Sequence, residues 1–406
     1  MAGALEGIRV LDWTIVQMGP SATRMLSDMG AEVIHIEKRV TGDQARELYR
    51  DLKARDGNPL PGGRSAYFEG HNRGKKSITV DVTKEKGKEL IYRLVKNSDV
   101  FVHNFRQGVP EKLKLDYETL CQYNPKLIFA AASGYGPNGP EAREPTYDNL
   151  GMARSGIMTV IGEPGMPPLR IRGAIADQAG AIMTSYGILA ALIARDRLGI
   201  GQKVDASHLG SMMALQTTTL SMSLILGQEI TRENRTKMPN PLWNYYQCQG
   251  GRWLVMQMSD EKYWPTMCKG LGIEHLEKDP RFENVEKREE NCEELIAIMD
   301  EIFLTKSHTE WMKTLKETGD VICTPIQTIA DLPDDPQVIA NDYIVDCNHK
   351  VLGPVKMMGI PFQLSKTPGY IKCEAPELGE HTEEILIQVG GYSKEEVTGL
   401  RDEEII

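Results

Sequence analysis

The clearest indication of the fold is the segment IRVLDWTIVQMGPSATRMLSDMGAEVIHIEK, residues 8–38. Apolar runs at 8–13 and 31–38 are typical of short buried strands. The segment between them predicts a helix over 21–30, with Ser21 as its N-terminal cap. A strand, a helix and a second strand at this spacing indicate two parallel strands covered by the connecting helix.

The same alternation continues along the first half of the chain. Further strand-like runs occupy four segments: 76–82, 99–105, 126–133 and 202–207. A long helix around Asp177 and a Met-rich helix over 208–226 are also predicted. We therefore expect an α/β protein whose large domain is a doubly wound, Rossmann-like parallel sheet.

The character of the sequence changes after residue 227. Loop-rich and strand-like segments, with CQGGR at 248–252 as a hairpin turn, lead into several helical segments. They predict a second, smaller α/β or α+β unit. The expected domains are a large one over 1–226, a small one over 227–330, and a return segment over 331–406 that completes the large domain.

Composition and charge exclude several functions. The formal net charge of −10 argues against nucleic acid and anionic membranes as partners, although a local cluster of cations can still bind a small polyanion. The opening MAGALEGIRVLDW has neither a basic leader nor a long apolar core, and polar residues interrupt the apolar run after Asp177. These features predict neither a signal peptide nor a membrane span. Seven single cysteines and eight dispersed histidines favour a cytoplasmic protein without a disulfide framework or a metal site.

Asp177 is a lone carboxylate among small residues at the beginning of a predicted helix, in RIRGAIADQAG (170–180). An Asp at such a place is commonly a helix cap, because its carboxylate accepts backbone N–H groups of the first turn. The flanking glycines and alanines also leave room for a bound group and are expected to offer it backbone N–H donors. The local sequence leaves both interpretations open.

The segment GYGPNG, residues 134–139, matches the pattern G-x-G-x-x-G and follows a predicted strand. A dinucleotide fingerprint needs a helix directly after its last glycine, because the N-terminus of that helix holds the pyrophosphate. Pro137 interrupts the pattern, and Pro140 follows it. We interpret the segment as a glycine-rich turn that brings the backbone close to another ligand.

Six motifs follow one another along nearly the whole chain. They are residues 5–43, YFEGHNRGKKSITVDV (67–82), VHNFRQG (102–108), SGYGPNGP (133–140), IADQAG (175–180) and LGEHTEEIL (378–386). In this order they resemble the class III (CaiB/BaiF-type) coenzyme A transferases, especially the members that act on phenyllactate and related aryl acids. The resemblance implies the fold described above and a homodimer of two interlocked chains, or a hetero-oligomer of unlike chains. It also implies a CoA thioester as substrate, with no tightly bound cofactor.

In that family, an aspartate at the position of Asp177 is the nucleophile. A carboxylate that attacks a thioester carbonyl forms a mixed anhydride, which CoA thiolate opens to an enzyme-bound thioester for attack by the acceptor acid. An aspartate, with an ordinary pKa near ~4, needs no base to activate it at neutral pH. The resemblance therefore implies transfer of CoA from an acyl-CoA to a carboxylic acid.

The binding positions of the family can be carried over one by one. The resemblance implies that Val16 and Gln17 hold the pantetheine end and the thioester carbonyl, with Tyr147 and Asp148 close to the substrate. The side chains implied at the adenosine and phosphate portion are Lys38, Arg39, Lys75, Asn104, Phe105, Arg106 and Lys112. Cations suit a ligand with three phosphate groups. We interpret the neighbouring His71 and His103 as hydrogen-bonded structural histidines.

The stretch KMPNPLWNYYQCQGG (237–251) stands where formyl-CoA transferase has a run of glycines over its active site. This difference argues against formate or oxalate as substrates. Trp243, Tyr245 and Tyr246 predict instead a pocket for a bulky aryl or branched acid, with core packing as the alternative.

Two other functions remain open. The α-methylacyl-CoA racemases share this fold and use a His/Asp pair, but Tyr147 stands where they have the histidine. A tyrosine, with an ordinary pKa near ~10, is a poor base at neutral pH. The third possibility is a non-catalytic CoA-binding subunit of a heteromeric transferase, against which the presence of Asp177 argues.

Overall fold

The computed structural model describes residues 3–54 and 57–406. They form two compact units. The larger unit comprises the chain up to Met158, Arg170–Gly227 and Pro336–Ile406, and the smaller unit comprises Thr159–Leu169 and Gln228–Asp335. The segment Thr159–Leu169, assigned above to the large domain, belongs to the smaller unit. Its Glu163 accepts hydrogen bonds there from the Arg235 backbone N–H and the Tyr245 hydroxyl.

The centre of the larger unit is a six-stranded parallel sheet. Its strands are β1 (Arg9–Trp13), β2 (Glu32–Glu37), β3 (Lys76–Thr79), β4 (Val100–His103), β5 (Ile128–Ser133) and β6 (Gln202–Ser207). They lie in the order β3-β2-β1-β4-β5-β6, so the direction of winding reverses between β1 and β4. This order confirms the predicted doubly wound fold, in which ligands bind beyond the carboxyl ends of the strands near the reversal.

Helices cover both faces of this sheet. Those of the first 226 residues are α1 (Met18–Asp28), α2 (Ala66–Asn72), α3 (Glu85–Lys96), α4 (Val109–Leu113), α5 (Tyr117–Leu120), α6 (Asp148–Arg154), α7 (Ile157–Val160), α8 (Ile175–Leu198), α9 (His208–Leu215) and α10 (Thr217–Leu226). Successive strand residues point to opposite faces. Leu11 and Phe101 therefore join Leu90 of α3 in one buried apolar layer, whereas Val10 joins Ile188 of α8 in the other.

Two of these helices differ from the sequence-based expectation. The first begins at Met18, so Ser21 lies inside its first turn, where its N–H bonds to the Gln17 carbonyl, and is not the cap. The Met-rich segment forms two helices rather than one, because the chain bends by 81° where α9 meets α10 at Gln216.

The smaller unit combines a sheet with four helices. Its elements are β7 (Trp243–Gln247), β8 (Trp253–Gln257), α11 (Tyr263–Leu271), α12 (Val285–Glu290), α13 (Cys292–Phe303), α14 (His308–Thr318) and β9 (Cys323–Pro325). The strands are antiparallel in the order β7-β8-β9, and residues 248–252 form the predicted hairpin turn. The unit is therefore of the α+β kind.

The C-terminal segment returns to the parallel sheet. It consists of α15 (Pro336–Ala340), β10 (Ile344–His349), β11 (Gly353–Met358), α16 (Thr382–Gln388) and α17 (Lys394–Asp402). Beside β3, the Thr79 N–H donates to Thr382 Oγ1 at 3.1 Å, and the Asp81 N–H donates to the Ile405 carbonyl at 2.7 Å. These residues close one edge of the larger unit.

Cys347 and Cys373 form a disulfide, so the expected absence of paired cysteines is wrong for this pair. They lie 26 residues apart in the chain, but the fold brings their Cα atoms to 5.7 Å. Spacing along the sequence does not show this pairing, because it depends on how the segment after β11 runs back beside β10.

Within residues 3–54 and 57–406, no single helix has the length and apolar character needed to cross a membrane. Only the bent pair α9 and α10 meets those criteria, as a pair. The same residues contain no group of three or more His, Cys, Asp or Glu side chains arranged to hold a metal ion.

Candidate active site

The segments that follow β1, β4, β5 and β6 surround a cavity of about 380 Å³ at the carboxyl end of the sheet. We name it the Asp177 cavity. Its lining includes seven of the predicted site residues: Val16, Gln17, Asn104, Phe105, Arg106, Tyr147 and Asp177. The doubly wound topology brings these residues together from distant parts of the chain.

Asp177 lies in the first turn of α8, with 17% of its side chain exposed. Its Oδ1 is 3.0 Å from Nε2 of His208, which is the first residue of α9 and lies directly after β6. No described residue forms a hydrogen bond with Oδ2. One carboxylate oxygen therefore contacts an imidazole, and the other has no hydrogen-bond partner among the described residues.

The cap of α8 is provided by Asp148 and not by Asp177. Asp148 Oδ1 accepts the N–H groups of Ala176 at 2.7 Å and of Asp177 at 3.3 Å. Burial, together with the charge of Asp177, raises the pKa of Asp148. Two of the backbone donors that the sequence suggested for a bound group are thus already used, and Asp177 does not cap its own helix.

Val16 has a φ of 66°, in the left-handed region that a β-branched residue rarely occupies. Its N–H donates to both oxygens of Asp43, at 3.1 and 3.2 Å. Asn104 fixes the preceding residue, Ile15, by accepting its N–H and donating to its carbonyl. Asn104 therefore shapes the loop and lines the Asp177 cavity, whereas its predicted role at the adenosine and phosphate portion stays a prediction.

Gln17 follows this strained residue and is buried. Its Oε1 accepts a hydrogen bond from the Tyr67 hydroxyl at 2.8 Å, so its amide nitrogen remains available as a donor. Burial and, next, the charge of Asp177 raise the pKa of Tyr67, which keeps this hydroxyl protonated. Gln17 is thereby held at the cavity wall with a defined orientation.

Lys75 lines neither the Asp177 cavity nor the cavity that contains Lys38 and Arg39, which corrects its assignment to the phosphates. Its ammonium is fully buried and donates to Asp12 at 2.8 Å, to the Pro20 carbonyl at 2.9 Å and to Asn72 at 2.7 Å. An ammonium has three N–H donors, so none is left for a ligand. Lys75 is a structural partner of the buried Asp12.

The ion pair belongs to a buried polar cluster beneath the Val16 loop. Burial alone would raise the pKa of Asp12, but Lys75 and His35 outweigh it and lower that pKa. His35 Nδ1 is 3.1 Å from Asp12, and its Nε2 is 3.8 Å from Asp43, the acceptor of the Val16 N–H. The cluster thus supports the loop through Asp43.

A second cavity of about 490 Å³, the outer cavity, shares Ile15, Phe105 and Val109 with the Asp177 cavity and adjoins it. Lys38 and Arg39 line it, as the phosphate prediction requires. Arg39 forms an ion pair at 3.3 Å with the exposed Glu404. The Arg39 guanidinium therefore already has one anionic partner.

The remaining predicted cations differ in position. Arg106 is exposed at the Asp177 cavity. Lys112 is exposed on α4, whose Val109 and Leu113 line the outer cavity, but its own side chain lines neither cavity. Phe105 lines both cavities and packs against Trp13, with ring centroids 4.3 Å apart.

His71 and His103, which we expected to be structural histidines, are both hydrogen-bonded, and they are half-buried and buried respectively. His71 Nδ1 donates to the Tyr67 carbonyl at 2.6 Å, its Nε2 faces the Gln178 amide nitrogen at 3.4 Å, and burial lowers its pKa to about 4. His103 Nδ1 accepts the Phe105 N–H at 3.3 Å, and burial lowers its pKa to about 3. Both rings are neutral at physiological pH.

Sequence reasoning missed His208 and Tyr67. His208 directly follows β6 in QKVDASH. A titratable side chain at the carboxyl end of a predicted parallel strand is the signal that could have identified it. Tyr67 gave no such signal, since it opens a short helix whose approach to Gln17 depends on the tertiary fold.

The aromatic residues of β7 do not form one pocket wall. Trp243 and Tyr245 are exposed on one face of the strand, whereas Tyr246 is fully buried on the other. Tyr246 packs against Phe303, with ring centroids 4.9 Å apart, and its hydroxyl donates to the Pro241 carbonyl. The prediction of a substrate pocket is therefore wrong for Tyr246, which is a core residue of the smaller unit.

The glycine-rich segment 134–139 is a turn, and the next helix begins only at Asp148. Gly134 lines the Asp177 cavity. A Cβ at this position would lie 1.9 Å from Thr146 Oγ1, so only glycine fits. These features agree with the interpretation of a close-approach turn.

Comparisons with known proteins give consistent matches. A family model described as CoA-transferase family III matches residues 5–382. An acyl-CoA transferase from Fusarium pseudograminearum is 35% identical, over 96% of this chain and 85% of that protein. The succinyl-CoA–D-citramalate CoA-transferase of Chloroflexus aurantiacus is 31% identical, over 99% of this chain and 98% of that protein. A crystal structure of a CaiB/BaiF family protein from Brucella suis superposes with a TM-score of 0.85 at 30% identity, over 96% of this chain and all of that one.

Proposed function

The chain belongs to CoA-transferase family III and is a CoA-transferase, and we propose that it moves CoA between acids through covalent intermediates on Asp177. The observation that carries this proposal is the position of Asp177. Its partly exposed carboxylate lines a cavity that adjoins a second cavity lined by Lys38 and Arg39. A nucleophile at one site and cations at the next suit the two ends of an acyl-CoA.

The residues around these cavities suggest how the substrate is held. Lys38 and Arg39 bind the phosphates of CoA in the outer cavity, and Phe105, which lines both cavities, contacts the chain between the two ends. The amide nitrogen of Gln17 donates to the thioester carbonyl. CoA is thus a substrate of this enzyme and not a resident cofactor.

The acceptor is proposed to be a bulky branched or aryl acid. The Asp177 cavity is large for formate, and its wall includes the apolar Ile15, Met18 and Phe105 with the exposed Tyr147. Arg106 at the same cavity supplies a cation for the carboxylate. A panel of aryl, branched and short linear acids, assayed with one acyl-CoA donor, ranks these classes, and a preference for formate or oxalate would contradict the proposal.

A homodimer of interlocked chains is part of the proposal. Apolar side chains on the outer faces of α8 and α10 are exposed, among them Tyr186, Leu224 (80%) and Ile225 (81%). Exposed apolar side chains mark interaction sites where they form a contiguous patch. Small-angle scattering should give the mass of two chains, and a compact monomer would contradict this arrangement.

The proposed location is the cytoplasm, where thiol reductants would open the Cys347–Cys373 bond.

The decisive experiment concerns Asp177 itself. The wild-type enzyme, incubated with acyl-CoA and then hydroxylamine, should carry a hydroxamate at Asp177, identified by peptide mass. Asp177→Ala should lose transfer by orders of magnitude while it keeps its fold and its affinity for CoA. Asp196→Ala, which removes an exposed carboxylate from the same helix, is the matched control. Near-normal turnover by Asp177→Ala would refute the assignment.

A further inference from the structure

His208 is the only described side chain that forms a hydrogen bond with the Asp177 carboxylate. Its ring is 7% exposed, and its Nε2 lies 3.0 Å from Asp177 Oδ1. Its other nitrogen, Nδ1, is buried and has no hydrogen-bond partner among the described residues. A buried imidazole with a single polar contact is unusual, because buried polar atoms are normally satisfied. The contact with Asp177 therefore calls for a functional explanation.

The backbone N–H groups of Ala176, Asp177 and Gln178 are already bonded to other acceptors. The N–H groups of Ala176 and Asp177 bond to Asp148, and that of Gln178 bonds to the Ala174 carbonyl. The first turn of α8 thus has these donors occupied. Any negative charge that develops on Asp177 Oδ1 is stabilised by His208.

The turn after β5 and the helix α6 hold His208 in this position. The N–H of the following residue, Leu209, donates to the Gly134 carbonyl at 3.0 Å, which ties the start of α9 to the turn after β5. Gly151 of α6 lies directly against the His208 side chain, because a Cβ there would be 2.6 Å from His208 Cβ and 3.2 Å from His208 Cγ. The imidazole is consequently fixed relative to α8 and Asp177.

We propose that the Nε2–H of His208 is the oxyanion donor for the steps in which the carbonyl carbon of Asp177 is attacked. This inference rests on the proposed function. After Asp177 Oδ2 attacks the donor thioester and CoA leaves as thiolate, Oδ2 becomes the bridging atom of a mixed anhydride and Oδ1 its carbonyl oxygen. The distance of 3.0 Å from His208 fits the range required of an oxyanion donor, 2.7–3.1 Å in general.

The charge then appears on Oδ1 twice. In the second step, CoA thiolate attacks Asp177 Cγ, the C–S bond forms, and the electron pair moves to Oδ1. Collapse breaks the bond between Cγ and the bridging oxygen, and the donor acid leaves as a carboxylate. In the third step, the acceptor carboxylate attacks Cγ of the aspartyl thioester, Oδ1 again takes the charge, and CoA thiolate leaves. In the first and last steps the charge forms on the acyl oxygen, out of contact with His208.

The test separates these steps. His208→Leu removes the donor, and His208→Gln places an amide nitrogen at the same number of bonds from Cβ. With acyl-CoA alone, we measure the aspartyl thioester by borohydride reduction and peptide mass, and the hydrolysis of the anhydride by release of free acid and CoA. His275→Leu, at an exposed histidine of the smaller unit, is the matched control.

His208→Leu should lower both transfer and thioester formation by about 10²–10³-fold, the usual effect of removing one oxyanion donor. Hydrolysis of acyl-CoA at Asp177 should fall much less, so that the ratio of hydrolysis to transfer rises. His208→Gln should recover most of the loss, and His275→Leu should behave as wild type. If His208→Leu fails to fold, His208→Asn, whose shorter amide does not reach Oδ1, gives the same comparison.

Two results would overturn the inference. One is thioester formation in His208→Leu at the wild-type rate, and the other is a loss of hydrolysis and transfer in equal proportion in a folded variant. Failure of the proposed function looks different, because the wild-type enzyme would then show no adduct at Asp177.

Discussion

Asp148 Oδ1 accepts the backbone N–H of Ala176 at 2.7 Å, so a carboxylate on α6 caps the helix that carries Asp177. Asp148→Ala should lower the free energy of unfolding by about 1 kcal/mol, the usual effect of losing a helix cap. It should also reduce kcat, because Asp177 is one residue further along the helix. Asp148→Asn keeps an acceptor oxygen and should retain most of the stability and most of the kcat of wild type. Urea unfolding and steady-state kinetics measure the two effects, and equal behaviour of the two variants would contradict the capping role.

A second prediction separates CoA transfer from racemisation. The ring nitrogens near Asp177 are occupied or buried, since His208 Nε2 contacts Asp177, His208 Nδ1 is buried, and both ring nitrogens of His71 face polar partners. No described histidine at this site is thus left to lift an α-proton, which needs a positioned base. A chiral 2-methylacyl-CoA in D₂O should keep its configuration and α-hydrogen, as NMR can follow. Deuterium incorporation at the rate of turnover would favour the racemase.

The third prediction contrasts Lys75 with Arg39. Lys75→Met leaves Asp12 buried without its cation and should destabilise the protein by about 3–5 kcal/mol. Arg39→Ala removes only a surface ion pair, so its stability should change by less than about 1 kcal/mol while its affinity for CoA falls. Urea unfolding and calorimetric titration with CoA give the two readouts. A stable Lys75→Met protein with weakened CoA binding would restore the original assignment of Lys75.

The fourth prediction concerns the strained loop. Val16→Gly removes the side chain that disfavours the φ of 66°, a conformation that costs a non-glycine residue roughly 1–2 kcal/mol. Because glycine also makes the unfolded chain more flexible, we expect unfolding stability within about 1 kcal/mol of wild type. The KM for acyl-CoA should nevertheless rise, since the loop loses rigidity. An unchanged KM would show that this conformation does not position the thioester.

The fifth prediction follows from the buried His103. Burial lowers its pKa to about 3, so the fold prefers the neutral ring, whereas the unfolded chain binds a proton near the ordinary value of 6.5. Its contribution to stability is complete above pH 6.5 and declines as pH falls toward 3. By pH 4 the loss should reach roughly 3 kcal/mol. Between pH 7 and pH 4, the unfolding free energy of wild type should therefore fall by this amount relative to that of His103→Leu. Parallel pH curves of the two proteins would contradict the prediction.

The larger unit could be predicted from sequence because its signals are local. Each buried parallel strand is a short apolar run, each connecting helix follows within a few residues, and this alternation determines the sheet type. Ser21 shows the limit. It is a favourable capping residue, but the helix starts at Met18, after the strained Val16, so Ser21 lies inside the first turn.

The site was predictable only in part, because motifs report residue types and not neighbours. Asp177 was found through a motif, whereas His208 reaches it across 31 positions and needs β6 and α8 in place. The sequence suggests a surface cation at Lys75, because its buried partner Asp12 lies 63 residues away in the chain. Tyr246 could have been separated from Tyr245 by the two-residue period of a strand, which places neighbours on opposite faces.

The return of residues 382–406 to the edge of the parallel sheet has a consequence for synthesis. β3 lies near residue 79, but the hydrogen bonds from Thr79 to Thr382 and from Asp81 to Ile405 span more than 300 residues. Until the ribosome has made that segment, the apolar residues that it covers remain in contact with water. Domains fold during translation in the order in which they are completed. We therefore expect the smaller unit, most of which lies in Gln228–Asp335, to mature first, while the nascent larger unit depends on chaperones.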